Sequence, residues 1–314
     1  GMESKMERYY LKKQITFSFE EEWKAAGDRL KEYLYVFYGI IAQETAEKAA
    51  GDIDIVIKKE PLEEEHFSLD IGKSVMITAG EIKGAIYGVS SFLQRIDLET
   101  LSAETGNFAE EPYKKFRGMH LYVPARENIA VYKKILDTMA FFKMNTVIIE
   151  VGGAMEYEKH PEINEKWKWF CHFADFEFPG IGRSRIIQWA DTYWKDSIHT
   201  EHAGGSYLTK AEVRDIVHHA KSLGLRVIPE IQALSHSYYL TLGHREIAEL
   251  KDDMFPDSYC PLNDKSYELY FEAAEEVLEV FEPDIVSVGH DEIRVLGECE
   301  KCRRKTGHEL LAYE

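Results

Sequence analysis

Asp284-Ile285-Val286-Ser287-Val288-Gly289-His290-Asp291-Glu292 is the stretch on which the fold turns. Its first five residues form an apolar run that reads as a buried strand. It ends in two adjacent carboxylates. Acids placed side by side at the end of a buried strand each lose hydration and repel one another. A site that needs one proton donor and one anion gains from that, because the repulsion holds one group protonated while the other ionises. The competing reading is a strand-end turn carrying two solvated acids.

Working upstream, the same pattern of apolar strand and polar end recurs. Met119–Val123, Thr146–Val151 and Leu225–Ile231 read as strands. Between them lie helical periodicities. Val131, Ile135, Met139 and Phe142 mark one helix over 129–143. Thr209, with Glu212 three residues on, makes a capping-box pattern for a second helix that runs to Ser222 and stops at Gly224. A third covers about 265–281, and a last one follows Lys301. The stretch 153–206, with Trp167, Trp169, Phe170, Trp189 and Trp194, reads as a long loop.

Strands that alternate with helices and are apolar on both faces imply a parallel sheet. Sites in such sheets lie past the carboxyl ends of the strands. The residues there are Arg126, Gly152 and Gly153, Gln232 to His236, and His290 to Glu292. Three of these four ends carry groups able to hold a polar ligand, which favours the functional reading of Asp291 and Glu292.

Residues 1 to about 112 read as a separate small α/β domain. Ile53, Ile55 and Ile57 alternate with polar neighbours, and Phe67, Leu69 and Ile71 continue the pattern. A turn at Gly72-Lys73-Ser74 leads into Val75–Thr78 and predicts a hairpin. Gly84–Ile96 reads as a helix burying Ile86, Val89, Phe92 and Leu93. Residues 97–112, acidic and without periodicity, suit a linker.

Composition bounds the partners. The chain has 314 residues, 45% hydrophobic and 30% charged, with a net charge of -18. That balance disfavours nucleic acid and anionic membranes, which demand basic patches. No segment approaches the ~20 apolar residues of a membrane span. The polar start, with Gly1 before Met2 read as an expression scar, shows no signal region, so a cytoplasmic location is expected. Of four cysteines, Cys299 and Cys302 form a CxxC followed by Arg303, Arg304 and Lys305. A zinc site would want two more ligands. Cys171 and Cys260 stand too isolated in sequence to supply them, so no metal and no cofactor are expected.

Several motifs, in order, resemble glycoside hydrolase family 20, the β-N-acetylhexosaminidases. Arg117-Gly118 opens the first strand. Leu136–Asn145 (LDTMAFFKMN) is similar to the family's ID-x-MA-x-x-K-x-N run, and Gly204–Thr209 (GGSYLT) to its GGxYT segment. Val227–Ile231 followed by His236 is similar to IPEID-x-PGH, and Ser287–Ile293 to HIGGDEV. Gly84–Gln94 resembles the end of the family's small first domain. The resemblance implies a (β/α)8 barrel over 113–314, of which four strands are found where a closed barrel takes eight.

It also implies roles. Glu292 would protonate the glycosidic oxygen. Asp291 would orient the substrate's 2-acetamido group, whose carbonyl oxygen attacks the anomeric carbon, the substrate-assisted exception to the two-carboxylate scheme. Arg126 would bind sugar hydroxyls, with His236, His290 and Glu230 around the acid. The tryptophans of the long stretch are candidates for stacking on sugar faces. The partner is then a carbohydrate, an N-acetylhexosaminide.

The departures from the pattern are Tyr122 for an aspartate, Ile148, Glu150 and Gly153 at the second strand end, Gln232 for an aspartate, Leu234-Ser235 for Pro-Gly, and His290 for a glycine. They bear on substrate identity more than on reaction type. Half a barrel is expected to associate, as a homo-oligomer through its open side, unless the chain is shortened or a degenerate relative. Two rival functions stay open: a non-catalytic carbohydrate-binding relative, and a metal-dependent hydrolase using His236, Glu230, His290 and Asp291.

Overall fold

A computed structural model describes residues 7–45, 53–177, 202–253 and 255–314. By contact the chain divides into two units. One takes Gly1–Gly118 with Lys133–Thr146 and His219–Arg226; the other takes Met119–Tyr132, Val147–His218 and Val227–Glu314.

In chain order the first stretch holds β1 (Arg8–Tyr10), β2 (Gln14–Phe19), α1 (Lys24–Tyr38), β3 (Ile41–Glu44), β4 (Ile55–Lys59), β5 (Phe67–Ile71), β6 (Val75–Ala79), α2 (Ile82–Gln94), β7 (Ser102–Glu104) and β8 (Gly106–Glu110). Six strands form one mixed sheet in the order β3-β2-β4-β6-β5-β8. Its core is the alternate apolar side chains: Ile55 and Ile57, Phe67, Leu69 and Ile71, Val75 and Ile77, all buried. Leu30 and Leu34 of α1 and Ile86, Val89, Phe92 and Leu93 of α2 are buried too. The β5–β6 hairpin forms as its turn residues predict, Ile71 opposite Val75.

The expected linker is corrected. Residues 102–110 make two strands, and β8 pairs antiparallel with β5 along its whole length. An edge strand can do this without apolar periodicity, because the ladder is made by backbone groups.

The second stretch holds β9 (Gly118–Tyr122), α3 (Ile129–Phe141), β10 (Thr146–Glu150), α4 (Pro161–Glu177), α5 (Lys210–Ser222), β11 (Arg226–Ala233), α6 (Tyr238–Thr241), α7 (Asp264–Phe281), β12 (Ser287–Gly289) and α8 (Gly307–Leu311). Its strands form a parallel sheet in the order β12-β11-β10-β9, the barrel-type strand–helix alternation. The capping box at Thr209 is present: the Glu212 N–H donates to Thr209 Oγ1, and the Thr209 hydroxyl and N–H both donate to Glu212 Oε1.

Two expectations fail here. The supposed loop from 153 contains helix α4 from Pro161 on, so Trp167 and Trp169 are helical; Trp189 and Trp194 lie outside the described residues. The run 284–288 is not a buried strand. β12 is only three residues long, and Ile285, Val286 and Val288 are exposed, Val288 to 45%. β12 ends the strand order, so among the described residues no further strand covers its other side. No helix among the described residues is long and apolar enough to cross a membrane.

Candidate active site

After the exposed Arg226 at its start, β11 is apolar except for Glu230 and Gln232, two residues apart and therefore on one face. Glu230 Oε1 lies 2.9 Å from Nε2 of His120 on β9, and its Oε2 accepts the hydroxyl of Ser287 on β12 at 2.6 Å. Gln232 Nε2 donates to Glu150 Oε1 at the end of β10, at 2.5 Å, and to Asp291 Oδ1 at 3.0 Å. One polar row thus draws on all four strands. The His120 bond to Glu230 outweighs its partial burial and raises its pKa above the ordinary 6.5, which favours the charged imidazolium between Glu230 and the nearby carboxylates.

Past the strand ends the backbone turns tightly. Leu234 and His236 take φ of 65° and 48° after β11; His290 and Glu292 take 70° and 55° after β12. Left-handed conformations cost side-chain-bearing residues free energy and persist where the surroundings over-determine them. Ser235 Oγ, donating to the Asp291 carbonyl at 2.6 Å, ties the two turns together. Phenols secure the end of β11: Tyr270 donates to the Ile231 carbonyl and Tyr239 to that of Gln232, both at 2.7 Å. Gly289 is required by close approach. Its φ is +71°, and a Cβ there would sit 1.9 Å from Gln232 Oε1.

These turns bring His236 Nε2 to 3.2 Å from Asp291 Oδ2 and 3.1 Å from Glu292 Oε2. The imidazole is nearly enclosed, while the two carboxylates stay open to solvent. A cleft beside them is lined by Glu150, Gly152, Gly153, Trp167, Gln232, His236, Tyr238 and Tyr239. Trp167 lies against Gly153, where a Cβ would meet its ring at 2.8 Å. It also belongs to a buried cluster with Phe170, Cys171, Tyr238, Leu242 and Phe255, whereas Trp169 is exposed.

Of the residues read from sequence, Glu230, His236, Asp291 and Glu292 share this network. His290 faces elsewhere, its Nε2 3.6 Å from Glu314 Oε2. Arg126 forks onto Glu212 at 2.8 and 3.0 Å and donates to the Tyr207 carbonyl. Gln232 and Ser235 lie in the strand-end run read from sequence without a role of their own, and His120 and Glu150 were given no site role there. The available signal was polar residues at face-sharing positions in apolar strands.

Four groups among the described residues have ligand-like spacing for a cation: His120, Glu150 and Glu230; His236, Asp291 and Glu292; His160, Glu162 and His244; and Glu249, Cys260, Cys299 and Cys302. The first two belong to the network just described. In the third, Glu162 Oε1 already meets His160 Nδ1 at 2.9 Å and His244 Nε2 at 2.8 Å. The fourth corrects the sequence reading. Cys260 is not isolated in space: its Sγ lies 3.6 Å from that of Cys302.

Two family models match the chain. "Glycosyl hydrolase family 20, catalytic domain" covers residues 114–310, and "Glycosyl hydrolase family 20, domain 2" covers residues 2–107. The chain belongs to glycosyl hydrolase family 20. Within that family it is similar to a beta-hexosaminidase of Porphyromonas gingivalis, 26% identical over 286 residues, 81% of this chain and 33% of the relative. Its fold is that of a Flavobacterium johnsoniae chitobiase (TM-score 0.72, 21% identity, 98% of this chain and 47% of that one). It is also that of a Bacteroides fragilis beta-N-acetylhexosaminidase (TM-score 0.71, 18% identity, 98% and 60%). The chain thus spans between 33% and 60% of the length of these family 20 members.

Proposed function

We propose that this site hydrolyses terminal β-linked N-acetylhexosaminides by substrate-assisted, retaining catalysis. The carrying observation is that the neighbouring carboxylates Asp291 and Glu292 converge on one imidazole nitrogen, His236 Nε2, at the end of β12 while both remain open to solvent. Adjacent residues on one turn reach the same side of a bound sugar. They suit a mechanism whose nucleophile comes from the substrate itself.

Glu292, protonated, gives its proton to the glycosidic oxygen as the bond to the anomeric carbon breaks. The 2-acetamido carbonyl oxygen attacks that carbon, and Asp291 accepts the amide N–H as positive charge builds on it. Glu292, now a carboxylate, takes a proton from the water that opens the cyclic intermediate. His236 positions both acids; Gln232, bonded to Asp291 Oδ1, holds that carboxylate in line.

The test is release of p-nitrophenol from its β-N-acetylglucosaminide and β-N-acetylgalactosaminide. The unaltered protein turns over at least one. Glu292→Gln lowers the rate by about 10²–10⁴-fold, the usual worth of a positioned acid, and a substrate with its acetamido group removed is not cleaved. Binding of N-acetylglucosamine with no turnover on either glycoside would overturn the proposal in favour of a non-catalytic binding role.

A further inference from the structure

Away from the acid pair, three of the four cysteines meet a buried carboxylate. Glu249 is only 1% exposed. Its Oε1 accepts the backbone N–H groups of Glu298 and Cys299 at 2.8 and 3.1 Å. Its Oε2 is equally buried and has no hydrogen-bond partner among the described residues. A half-satisfied carboxylate in such a place is costly unless a positive charge answers it. The groups gathered with it are sulfurs. Cys260 Sγ lies 3.7 Å from Cys299 Sγ and 3.6 Å from Cys302 Sγ, and the four donor atoms all lie within 4.8 Å of one another.

We propose that Glu249, Cys260, Cys299 and Cys302 form a tetrahedral site for one zinc ion. The spacing fits. Thiolates bound to zinc at ~2.3 Å in a tetrahedron stand about 3.8 Å apart, close to the separations found here. Three sulfurs and one oxygen select zinc, or cobalt in its place, over magnesium or calcium, which want oxygen shells. Four protein donors leave no open position, so the ion is structural and plays no part in the hydrolysis.

The charge also fits. Three thiolates and a carboxylate leave the loaded site at two negative charges. Arg303, Arg304 and Lys305, the longest uninterrupted basic run of a chain at -18, follow Cys302 directly. Arg303 Nε donates to the Glu298 carbonyl at 2.9 Å, which holds its guanidinium beside the turn. Leu262, Leu296 and Leu310 pack around the sulfurs and keep the site dry.

The site joins distant segments. Glu249 and Cys260 flank the Ala248–Tyr259 bridge between β11 and α7. Cys299 and Cys302 lie on the segment after β12, shortly past Glu292. Bound zinc therefore pins the stretch that carries the acid pair.

The proposal stands apart from the hydrolase reading, and its test does not rely on turnover. The full chain is purified reduced, its zinc content measured, and the metal-free form titrated with Co²⁺ alone. One equivalent of zinc per chain is expected. Cobalt should give a thiolate charge-transfer band and the intense visible spectrum of a tetrahedral ion, both bleached by zinc. Cys260→Ser and Cys302→Ser should weaken binding by more than about 100-fold, beyond the loss that outer-sphere changes give. Glu292→Gln should bind zinc unchanged. In the unaltered protein, chelation should make three further thiols reactive and lower the Tm, so a variant that fails to fold does not spoil the test. No stoichiometric metal, a cobalt complex without thiolate charge transfer, or a disulfide among these cysteines would overturn the proposal.

Discussion

Gly289 shows how much one missing methyl group decides. With φ at +71° and no space between its Cα and Gln232 Oε1, any larger residue must push Gln232 aside or straighten the turn. Gln232 bonds both Glu150 and Asp291, so either movement disturbs the row and the acid pair together. Gly289→Ala should cost about 1–3 kcal/mol, the range for a strained backbone position, read by denaturant unfolding. It should also reduce hydrolysis, and Gln232→Ala in the same chain should restore part of the stability by clearing the space. At this scale hydrophobic periodicity places the strand ends that carry His236, Asp291 and Glu292, the family resemblance adds Glu230, and the structure brings the four into one network. His120, Glu150 and Gln232 were harder to read. Their contacts join residues 110, 82 and 59 positions apart, and periodicity holds no information about which distant partner a polar side chain will meet. Arg126 and His290 show the converse, residue types suited to the task whose side chains are engaged with Glu212 and Glu314.

Helix α7 carries a charge on its apolar stripe. Leu269, Ala273, Glu276, Val277 and Val280 are all buried. Glu276 is answered by Lys210 at the start of α5, 2.8 Å away and also buried, and by the N–H of Glu158 at 2.7 Å. Lys210→Met should destabilise the protein by about 3–5 kcal/mol, because it leaves a buried carboxylate without its cation; Lys210→Met with Glu276→Leu should recover most of that. Thermal unfolding of the two variants checks it. An anomalous Glu within a helical stripe is visible in sequence; its partner on another helix is not. The long central helices were legible because their apolar period is strong. Helix α4, expected as part of a long loop, was misread, and the misread strands are at edges. β8 was mistaken for a linker and β12 for a buried strand, since an edge strand is held by its ladder and by one face only, and the hydrophobic pattern then loses its meaning.

Across the whole molecule, an excess of acid is held in place by hydrogen bonds and nearby cations. Burial pushes Glu65 up, but Arg117, Tyr87 and Asn145 outweigh it and hold it below its usual value. Burial likewise opposes, and Lys143 and Ser91 overcome it, at Glu110. At Glu246, Lys265, a backbone N–H and His244 overcome burial and bring the carboxyl to about 2. A carboxylate depressed in the folded state lends stability that is whole above its unfolded pKa, near 4.5, and drains away as pH falls toward its folded value. The Tm should therefore decline steadily below about pH 5, and Lys265→Met should flatten part of that slope; melting curves across a pH series decide it. The first unit is also discontinuous along the chain. Arg29 of α1 meets Asp137, Glu110 meets Lys143 and Glu65 meets Asn145, all within that unit. A gene fragment ending at residue 118 would encode the receptors without their keys. Recombination between relatives could exchange this unit only by carrying the distal turns of α3 and α5 with it, so inheritance binds the two parts more tightly than the order of strands implies.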